Sequence, residues 1–545
     1  MLSQPDHVVR HFRDVLVWPV QIRPGFSGGE IGRLHGLITG DGRWAPVDDE
    51  FTADPADFQE RHYKEFVAFL PYVQRFLYGD SRSGVGAEAA RPASMSVYRR
   101  TDVAGLRVTL KPGDPPIALR VAHVDLYLFL DMDVALLNVE VAADDLPLAT
   151  ALELLYRFGR AYPTGWDANG QGVHNVHRSE LLGRDGQILA TSDSEQRDRY
   201  LHFVCTKRAP RVGALWAWLL QPLVQDQEDL PGALRYRLIE YYRMPMMAFL
   251  ALDNPRALTR EDFIRIGFVA NLPARDPLPV RDPSVLRFER LHCEDRFWTD
   301  SEEGPNSRFL CTGNALVLVG DARSAYFRDP DHGFLARFRH QYFLVFMIAH
   351  FHRAALLSFS DGLADAVNDL DVRDAESVRR FKRRIRLSFE AFLRFTHRYW
   401  FHEVSEQGLV QALFQRTTGL LRNDELFADV KEQVREMSAY LDSDSQRRQS
   451  GTVLRLTVVT IFGLIATVVT GYFGMNLFNF PEVPDSRKLL QFGVVTGATL
   501  LMVLFAVARS KRLSDFLEAL SDERLDGKAK WASLVRVFRR ADDSR

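Results

Sequence analysis

The chain has 545 residues, a formal net charge of −2 at pH 7 and three cysteines. Because positive and negative side chains nearly balance, the composition gives no global electrostatic footprint for nucleic acid or anionic lipid. Cys205, Cys293 and Cys311 are widely separated and form no CxxC pair, which indicates reduced thiols rather than a disulfide framework or a zinc site. A chain of this length has room for roughly two or three soluble domains.

Strand-like and helical patterns are mixed through residues 1–330. Val15–Val20 predicts a strand, and Pro55–Tyr78 and Asp145–Tyr162 predict helices. Further strand-like runs lie between those helices: Met95–Arg99, Leu106–Lys111, Ile117–Ala122, Asp125–Leu130 and Ala135–Val141. We therefore expect an α/β domain over residues 1–330. The polar segment Met1–Asp14 has no apolar signal core, so we expect this domain in the cytoplasm.

Residues that resemble parts of known sites are scattered through this region. The glycine-rich stretch Phe26–Gly32 lacks the spacing and the lysine of a phosphate loop, so a turn is the better interpretation. His174 and His177 form an isolated HxxH pair in a polar loop. Three aspartates around a strand end are explained by a turn as well as by a metal: Asp125, Asp131 and Asp133. No combination of nucleophile and base supports catalysis, and we predict that the chain is not an enzyme.

From Asp331 the pattern turns helical, and we interpret residues 331–449 as a helical stalk region. Long helices are predicted at Phe334–Leu357, at Asp371–Phe401 and at about Leu420–Gln449. The last of them has an apolar seam spaced by three and four residues: Phe427, Val430, Val434, Met437 and Leu441. Tyr342–Ala349 is apolar but too short to cross a bilayer, so it predicts a buried helix. His340, His350 and His352 lie in the predicted helix Phe334–Leu357, where packing or capping is the better interpretation.

One run of charge in this region has two interpretations. Residues 379–386 place six basic side chains on two helical turns: Arg379, Arg380, Lys382, Arg383, Arg384 and Arg386. A solvated helix face paired with nearby acids is the first interpretation. A ring of basic residues in an oligomer, or a site for an acidic lipid or a nucleotide, is the second. The sequence leaves both open.

Two apolar runs follow near the C-terminus, Leu456–Phe473 and Leu489–Ala508, and neither contains a charged residue. Roughly 20 apolar residues in a helix cross the hydrocarbon core of a bilayer. Basic residues flank the outer ends of the pair, and basic flanks are typical of the cytoplasmic side of a membrane. We therefore expect a multi-pass protein of the inner (plasma) membrane with both termini in the cytoplasm.

The first apolar run carries small and hydroxyl residues on one face. At about 100° per residue, a single stripe contains Ser450, Val453, Thr457, Thr460, Leu464, Thr467, Gly471 and Gly474. Small residues let membrane helices pack closely, which is one explanation. The other is a water-filled path, in which threonine hydroxyls touch the hydration shell of an ion and Val453 and Leu464 form apolar constrictions. One helix cannot enclose a pore, so the second explanation requires an oligomer.

The stripe ends in Gly-Met-Asn at residues 474–476, and Pro481 and Glu482 stand in the loop that follows. A Gly-Met-Asn at the outer end of the first of two C-terminal spans resembles the CorA family of magnesium channels. Phe473 stands where the family signature usually has Tyr, and Phe480 replaces the Met of the family's Met-Pro-Glu loop. The resemblance covers about residues 446–512, and the N-terminal region contains no family motif.

The resemblance implies an α+β membrane protein that forms a homopentamer in the lipid bilayer and transports a divalent metal ion, Mg²⁺. It implies a cytosolic domain and a long stalk helix continuous with the first of two transmembrane helices. Gly474, Met475 and Asn476 would form the selectivity filter, with Asn476 holding Mg²⁺ through its hydration waters, and Glu482 would attract cations at the outer mouth. The pore lining would come from the stripe: Val453, Thr457, Thr460, Leu464, Thr467 and Gly471.

The implied layout assigns transmembrane helix 1 to residues 450–476 and transmembrane helix 2 to residues 489–508. Residues 477–488 would form an external loop and residues 509–545 a cytosolic tail. Nucleic acid is not expected as a partner, and a regulatory role for Mg²⁺ is left open. Two alternatives remain: a zinc-carrying relative of the same family, and a membrane-anchored cytosolic sensor without conduction. Met475 favours magnesium, because the zinc branch usually departs from Met at this position.

Overall fold

The computed structural model describes residues 7–22, 31–47, 59–80, 94–129, 132–240, 242–270, 282–298, 306–371 and 374–474, together with 486–487, 490, 493–494, 497–499 and 501. The chain forms two compact units, Met1–Arg435 and Glu436–Arg545. The first unit contains the described strands and most of the described helices. Of the second unit, the structure describes mainly the last part of one long helix.

The first unit is built on one mixed sheet of fourteen described strands. The strands are β1 (Val8–Ile22), β2 (Trp44–Pro46), β3 (Met95–Arg100), β4 (Gly105–Thr109), β5 (Ile117–Phe129), β6 (Val134–Pro147), β7 (Arg178–Leu182), β8 (Ile188–Thr191), β9 (Leu223–Gln225), β10 (Leu234–Leu238), β11 (Met246–Leu252), β12 (Cys293–Phe297), β13 (Ser307–Cys311) and β14 (Ala315–Asp321). Their order across the sheet is β12-β13-β14-β11-β1-β6-β5-β4-β7-β8. The pairs β9–β10 and β11–β14 are parallel and the other described pairs are antiparallel. A mainly antiparallel sheet with helices packed on it is an α+β fold, as predicted for the chain.

The helices lie between the strands in the first part of the chain and dominate the described residues after β14. They are α1 (Ile31–Thr39), α2 (Glu60–Val67), α3 (Pro71–Tyr78), α4 (Leu148–Arg157), α5 (Arg197–Lys207), α6 (Ala214–Leu220), α7 (Arg260–Phe268), α8 (Asp282–His292), α9 (Ala325–Arg328), α10 (Phe334–Arg337), α11 (Phe343–Asn368), α12 (Ala375–Arg398), α13 (Gly408–Leu420) and α14 (Asn423–Gly474). A π-helical stretch, Phe338–Tyr342, joins α10 to α11. The domain bounds drawn from the sequence, including the boundary at residues 330–331, stay predictions.

Strand β1 lies at the centre of the sheet. It pairs along most of its length with β6 on one side, and with β11 and then β10 on the other. Its apolar stretch Val15–Val20 is the strand that the sequence predicted. Pro19 has no N–H to donate. It lies between Leu16, the last residue of β1 that pairs with β11, and Val20, the first that pairs with β10. The proline therefore removes no hydrogen bond on that side.

Alternate residues of β1 face two separate cores. Leu16 and Trp18 belong to the larger core, together with buried residues of α4, α6 and α7. Val15 and Val17 point to the opposite face, because successive side chains of a strand alternate. That second face is covered by α11, which contacts both β1 and β6. A sheet that is buried on both faces explains why β11 is apolar throughout and β14 is apolar from Ala315 to Val319.

The predicted helix Pro55–Tyr78 is wrong in its continuity. The described part forms two helices, α2 and α3, and residues 51–58 lie outside the described residues. Pro71 occupies the first turn of α3, and Leu70 before it is extended at ψ 151°. A residue that precedes proline is disfavoured in the helical region, so the chain must leave the helix there. The predicted helix Asp145–Tyr162 is shorter in the structure, because β6 continues to Pro147 and Gly159 follows α4 at φ +75°.

Asp14 is a fully buried carboxyl group on the central strand. Neither of its oxygens has a hydrogen-bond partner among the described residues. Burial raises the pKa of Asp14 from 3.8 to about 8, and the positive charge of Arg243 opposes that shift only in part. The carboxyl is therefore protonated in the folded protein at neutral pH.

The protonation of Asp14 predicts how stability changes with pH. Between about pH 4 and about pH 8, folded Asp14 keeps a proton that the unfolded chain releases, so this group makes the protein less stable as pH rises, by about 1.4 kcal/mol per pH unit. Asn at this position cannot ionise. We expect the melting temperature of Asp14→Asn, relative to the unsubstituted protein, to be higher at pH 8 than at pH 5, as measured by thermal unfolding of the full chain.

Asp145→Asn is the matched control. Asp145 is 67% exposed and pairs on the surface with Arg10 at 2.8 Å, so its removal should shift the melting temperature little and equally at both pH values. Equal shifts for Asp14→Asn at pH 5 and pH 8 would contradict a protonated Asp14.

Candidate functional site

The predicted functional stripe lies on the last part of α14, which ends at Gly474. The residues of this part whose exposure the structure describes are all exposed: Leu456, Thr460, Gly463, Ala466, Thr467, Gly471 and Gly474. Leu456 keeps 67% of its surface accessible. Exposed apolar surface of this kind is covered in a working protein by lipid or by other protein helices. This part of α14 is therefore a contact surface, on which the threonines and glycines are the distinguishing feature.

The threonine hydroxyls are oriented by the backbone of their own helix. Thr460 Oγ1 donates to the carbonyl oxygen of Leu456 at 2.9 Å, and Thr467 Oγ1 donates to that of Gly463 at 2.7 Å. Each bond reaches one helical turn back, which is a common way to satisfy a hydroxyl inside a helix. A hydroxyl has one proton and two acceptor lone pairs. Because the proton of Thr460 is used inward, its oxygen presents acceptor character to the outside of the helix.

The glycines on the same helix leave open space beside the backbone. A Cβ atom added at Gly463, Gly471 or Gly474 would meet no described atom within 4 Å. Packing within the described part of one chain therefore does not require glycine at these three positions. Glycine allows another helix, or water, to approach the backbone closely. This is the arrangement expected of a helix that is completed by neighbours.

Part of the predicted site lies outside the described residues. Met475, Asn476 and Glu482 are not among them, so the selectivity filter and the outer ring stay predictions. Three further predicted pore-lining residues belong to α14, but the structure does not describe their side chains: Val453, Thr457 and Leu464. Of the predicted filter, the structure describes Gly474, the last residue of the helix.

The second predicted span is described only at scattered positions. Residues 486–487, 490, 493–494, 497–499 and 501 are helical, and the rest of Leu489–Ala508 lies outside the described residues. Three large apolar side chains in this set are between 63% and 69% exposed: Leu490, Val494 and Leu501. The second transmembrane helix stays a prediction.

Among the described residues, one helix is long and apolar enough to cross a membrane: Phe334–Asn368. In its most apolar stretch, 67% of the residues are buried inside the protein. His350 Nε2 lies 3.3 Å from the carbonyl oxygen of Gly313, and His352 Nε2 lies 2.6 Å from that of Tyr399. Burial against the sheet and polar contacts to neighbouring backbone explain this helix as the buried helix predicted from the sequence.

The isolated histidine and aspartate motifs are engaged separately. His174 Nδ1 contacts the Tyr156 hydroxyl at 2.5 Å, whereas His177 Nδ1 contacts the side-chain oxygen of Gln171 at 2.6 Å. Asp125 is bound by Arg99, and Asp131 lies outside the described residues. No group of three or more His, Cys, Asp or Glu side chains that could hold a metal occurs in the described part of the chain. The three cysteines are free thiols, as predicted.

A cavity of about 30 Å³ lies between α4, α6 and the loop before α5. Its lining includes Arg160, Asn175, Asp193 and Tyr200. A space of this size holds about one or two water molecules, which is too little for an organic cofactor. Asp193 beside it is already satisfied, since it accepts from the Tyr200 hydroxyl at 2.7 Å and from Arg211 at 2.6 Å. We interpret this cavity as structural.

A buried cluster of charges on β5 and β6 escaped the sequence analysis. Glu140 is 2% exposed and binds Arg13 at 2.5 Å and Arg339 at 3.0 Å, and His123 lies 3.3 Å away. Burial alone raises the pKa of Glu140, but the charges of His123, Arg339 and Arg13 outweigh that effect and lower it overall. The available signal was a single Glu inside the apolar run Ala135–Val141. Because this charge is compensated, we interpret the cluster as structural.

Comparison with known proteins places the stripe in a family context. The family model described as "CorA-like Mg2+ transporter protein" matches residues 358–511, which include the end of α11, all of α12 to α14 and both apolar runs. No curated protein matches the chain. The resemblance inferred from Gly-Met-Asn and the paired apolar runs is confirmed. Residues 358–511 are thus similar to the CorA-like Mg²⁺ transporter family, and the large sheet region in front of them is not matched by the family model.

Proposed function

We propose that the chain is a homopentameric magnesium channel, in which the last part of α14 lines the pore and a ring of Asn476 forms the outer mouth. The CorA-like domain supports a divalent cation transporter in general, and CorA family members are membrane transporters rather than enzymes. The observation that carries the finer proposal is the exposed threonine and glycine face of α14, which the described part of one chain leaves uncovered.

The chemistry of that face suits a hydrated cation. Water bound to a divalent cation directs its hydrogens outward, so a wall that contacts it must accept hydrogen bonds. Thr460 spends its proton on the carbonyl of Leu456 and keeps oxygen lone pairs for that purpose. The glycines at 463, 471 and 474 leave room for water beside the backbone. Each chain contributes one such face, and closure around a cyclic axis would enclose the path.

The outer mouth suits magnesium in particular. Mg²⁺ gives up its water reluctantly and prefers oxygen ligands in octahedral geometry. A ring of Asn476 amide oxygens can bind the hydrated ion through its waters, and a neutral ring binds weakly enough to release it again. Met475 favours magnesium over the zinc-carrying alternative, and a comparison of Mg²⁺ and Zn²⁺ flux distinguishes the two. A membrane-anchored sensor would give no flux for either ion.

The first prediction concerns the number of subunits. An uncovered face on α14 requires identical neighbours to enclose water, and the family resemblance implies five copies. Mass measurement of the full chain in detergent or in a lipid nanodisc should give five copies per particle. A particle that is stably monomeric or dimeric would rule out the pore.

The second prediction concerns the filter. Asn476→Ala removes the side-chain oxygen that faces the hydrated ion, and we expect Mg²⁺ flux into liposomes to fall at least about tenfold, as expected for losing about 1.4 kcal/mol of interaction with the ion. A fluorescent Mg²⁺ indicator inside the liposomes measures it. Asn479→Ala is the matched control, because it removes the same group three residues later, in the predicted external loop. Equal flux through Asn476→Ala and the unsubstituted protein would contradict the filter.

The third prediction concerns the loop carboxylate Glu482. A negative ring at the mouth raises the local concentration of cations, so Glu482→Gln should lower the Mg²⁺ flux moderately at low ionic strength. Salt screens exposed charges over about 10 Å at 0.1 M. The difference between Glu482→Gln and the unsubstituted protein should therefore shrink as salt is added. A defect that is independent of salt would show that Glu482 does not act through its charge.

A further inference from the structure

The basic run on α12 forms the outer face of a packed helix. Phe381, Ile385 and Phe392 are buried on the inner side. Arg379, Arg383 and Arg386 are exposed, and at about 100° per residue they lie on the opposite side of the helix. Over the whole helix eight basic residues stand against two acids. The outer face of α12 is therefore strongly positive.

These positive charges have little compensation within one chain. Arg383 and Arg386 form no ion pair in the described part of the chain. Within the described residues, the ion-pair partner of Arg379 is Glu376, at 3.7 Å, and both side chains are largely exposed. Exposed pairs of this kind contribute little, and like charges three or four residues apart in a helix repel each other. An acidic surface that covers this face would therefore offset the repulsion among its positive charges.

The first turns of α14 carry the complementary surface. Phe427, Val430 and Val434 form the inner side of this segment, and Glu425, Asp429 and Glu432 are exposed on the opposite side. Glu432 pairs with Arg435 at 3.5 Å, where both partners are exposed, and Glu425 pairs with Arg422. Asp429 forms no ion pair within the described residues. The outer face of this segment is therefore negative.

The two faces match in spacing as well as in sign. Arg379, Arg383 and Arg386 are separated by four and then three residues, and so are the three acids of α14. At 1.5 Å per residue, both sets repeat at about 6 Å and then about 4.5 Å along the helix axis. Each guanidinium of one set can thus meet one carboxylate of the other. The planar fork of arginine fits a carboxylate with two hydrogen bonds.

The two faces cannot meet within one chain. The inner sides of α12 and α14 face each other, since Phe392 and Phe427 stack with ring centroids 5.7 Å apart. The charged sides therefore point away from each other, to opposite sides of the helix pair. A positive face on one side and its complement on the other give a head-to-tail interface, which closes into a ring when the rotation between copies is suitable.

We propose that the α12 face of one copy, Arg379, Arg383 and Arg386, docks on the α14 face of the next copy, Glu425, Asp429 and Glu432. This interface rests on the proposed homo-oligomer and identifies the surfaces that hold its cytosolic part together. It uses the basic run that the family resemblance leaves without a role.

Chemical crosslinking of the full chain in lipid nanodiscs tests the proposal. In a Cys205→Ser background, Arg383→Cys and Asp429→Cys are combined and treated with a short bismaleimide. We expect a ladder of covalent oligomers, because the two cysteines belong to neighbouring copies. Arg384→Cys with Asp429→Cys is the matched control, since Arg384 lies off this face and pairs with Asp369 in its own chain. A ladder that is equal in both variants, or absent from both, overturns the interface.

Charge reversal gives an independent readout. Arg383→Glu with Arg386→Glu should abolish crosslinking between cysteines placed at Arg379 and Glu425, and adding Asp429→Arg and Glu432→Arg should restore it. Failure of the reversed acids to restore crosslinking overturns the interface. Loss of the Arg383→Cys with Asp429→Cys crosslink when anionic lipid is added to the nanodisc would assign the basic face to a membrane surface and also overturn the interface. Subunit mass and Mg²⁺ flux of the unsubstituted protein are measured in parallel, so a pentamer that conducts without this crosslink refutes the interface alone, whereas a monomer refutes the proposed function.

Discussion

The packing of α11 on the second face of the sheet is the constraint on which the rest of the first unit depends. The central strands are apolar on both sides, so each side must be covered to remove it from water. Phe351 of α11 stacks on Phe129 of β5 with ring centroids 3.9 Å apart, and Tyr127 contacts Phe343. Aromatic contacts of this kind stabilise a core through the large apolar area that they bury and through the favourable arrangement of their rings. Without α11, the part of this face formed by β1, β5 and β6 would be exposed.

A polar contact at the same interface fixes how α11 approaches. Arg339 lies in the π-helical stretch before α11 and binds Glu140, which is buried in β6 and also binds Arg13. Loss of one partner would leave a buried charge uncompensated, which costs several kcal/mol in typical proteins, of the order of 3 to 5. Apolar contacts alone tolerate sliding of a helix along a sheet, whereas a buried ion pair has one acceptable position. We infer that this pair sets the register of α11 on β6.

The sequence predicts the elements with strong apolar patterns and misses those in which charge is compensated from elsewhere. Val15–Val20 identifies the centre of β1. The first half is not recognisable as a buried strand, because it contains His11 and Arg13. Their partners Asp144 and Glu140 lie more than a hundred residues away in the sequence. The break between α2 and α3 can be predicted from Pro71, because the residue before a proline is disfavoured in the helical region. At the candidate site, helical spacing places Thr460 and Thr467 on one face. The direction of their hydroxyls is a rotamer choice that sequence does not encode, and the filter rests on the family resemblance.

The family match begins inside α11, so the matched and unmatched regions share a helix and must evolve together. The match begins at residue 358, inside α11, so the N-terminal part of this helix lies in the unmatched region and its C-terminal part in the matched region. Residues on either side of that point share one hydrophobic core. Phe351, before that point, contacts Phe395 of α12, after it, with ring centroids 6.3 Å apart, so a substitution that enlarges one of them must be answered by the other. The two regions therefore cannot be exchanged as independent modules, and we expect covariation to cross residue 358 without a gap.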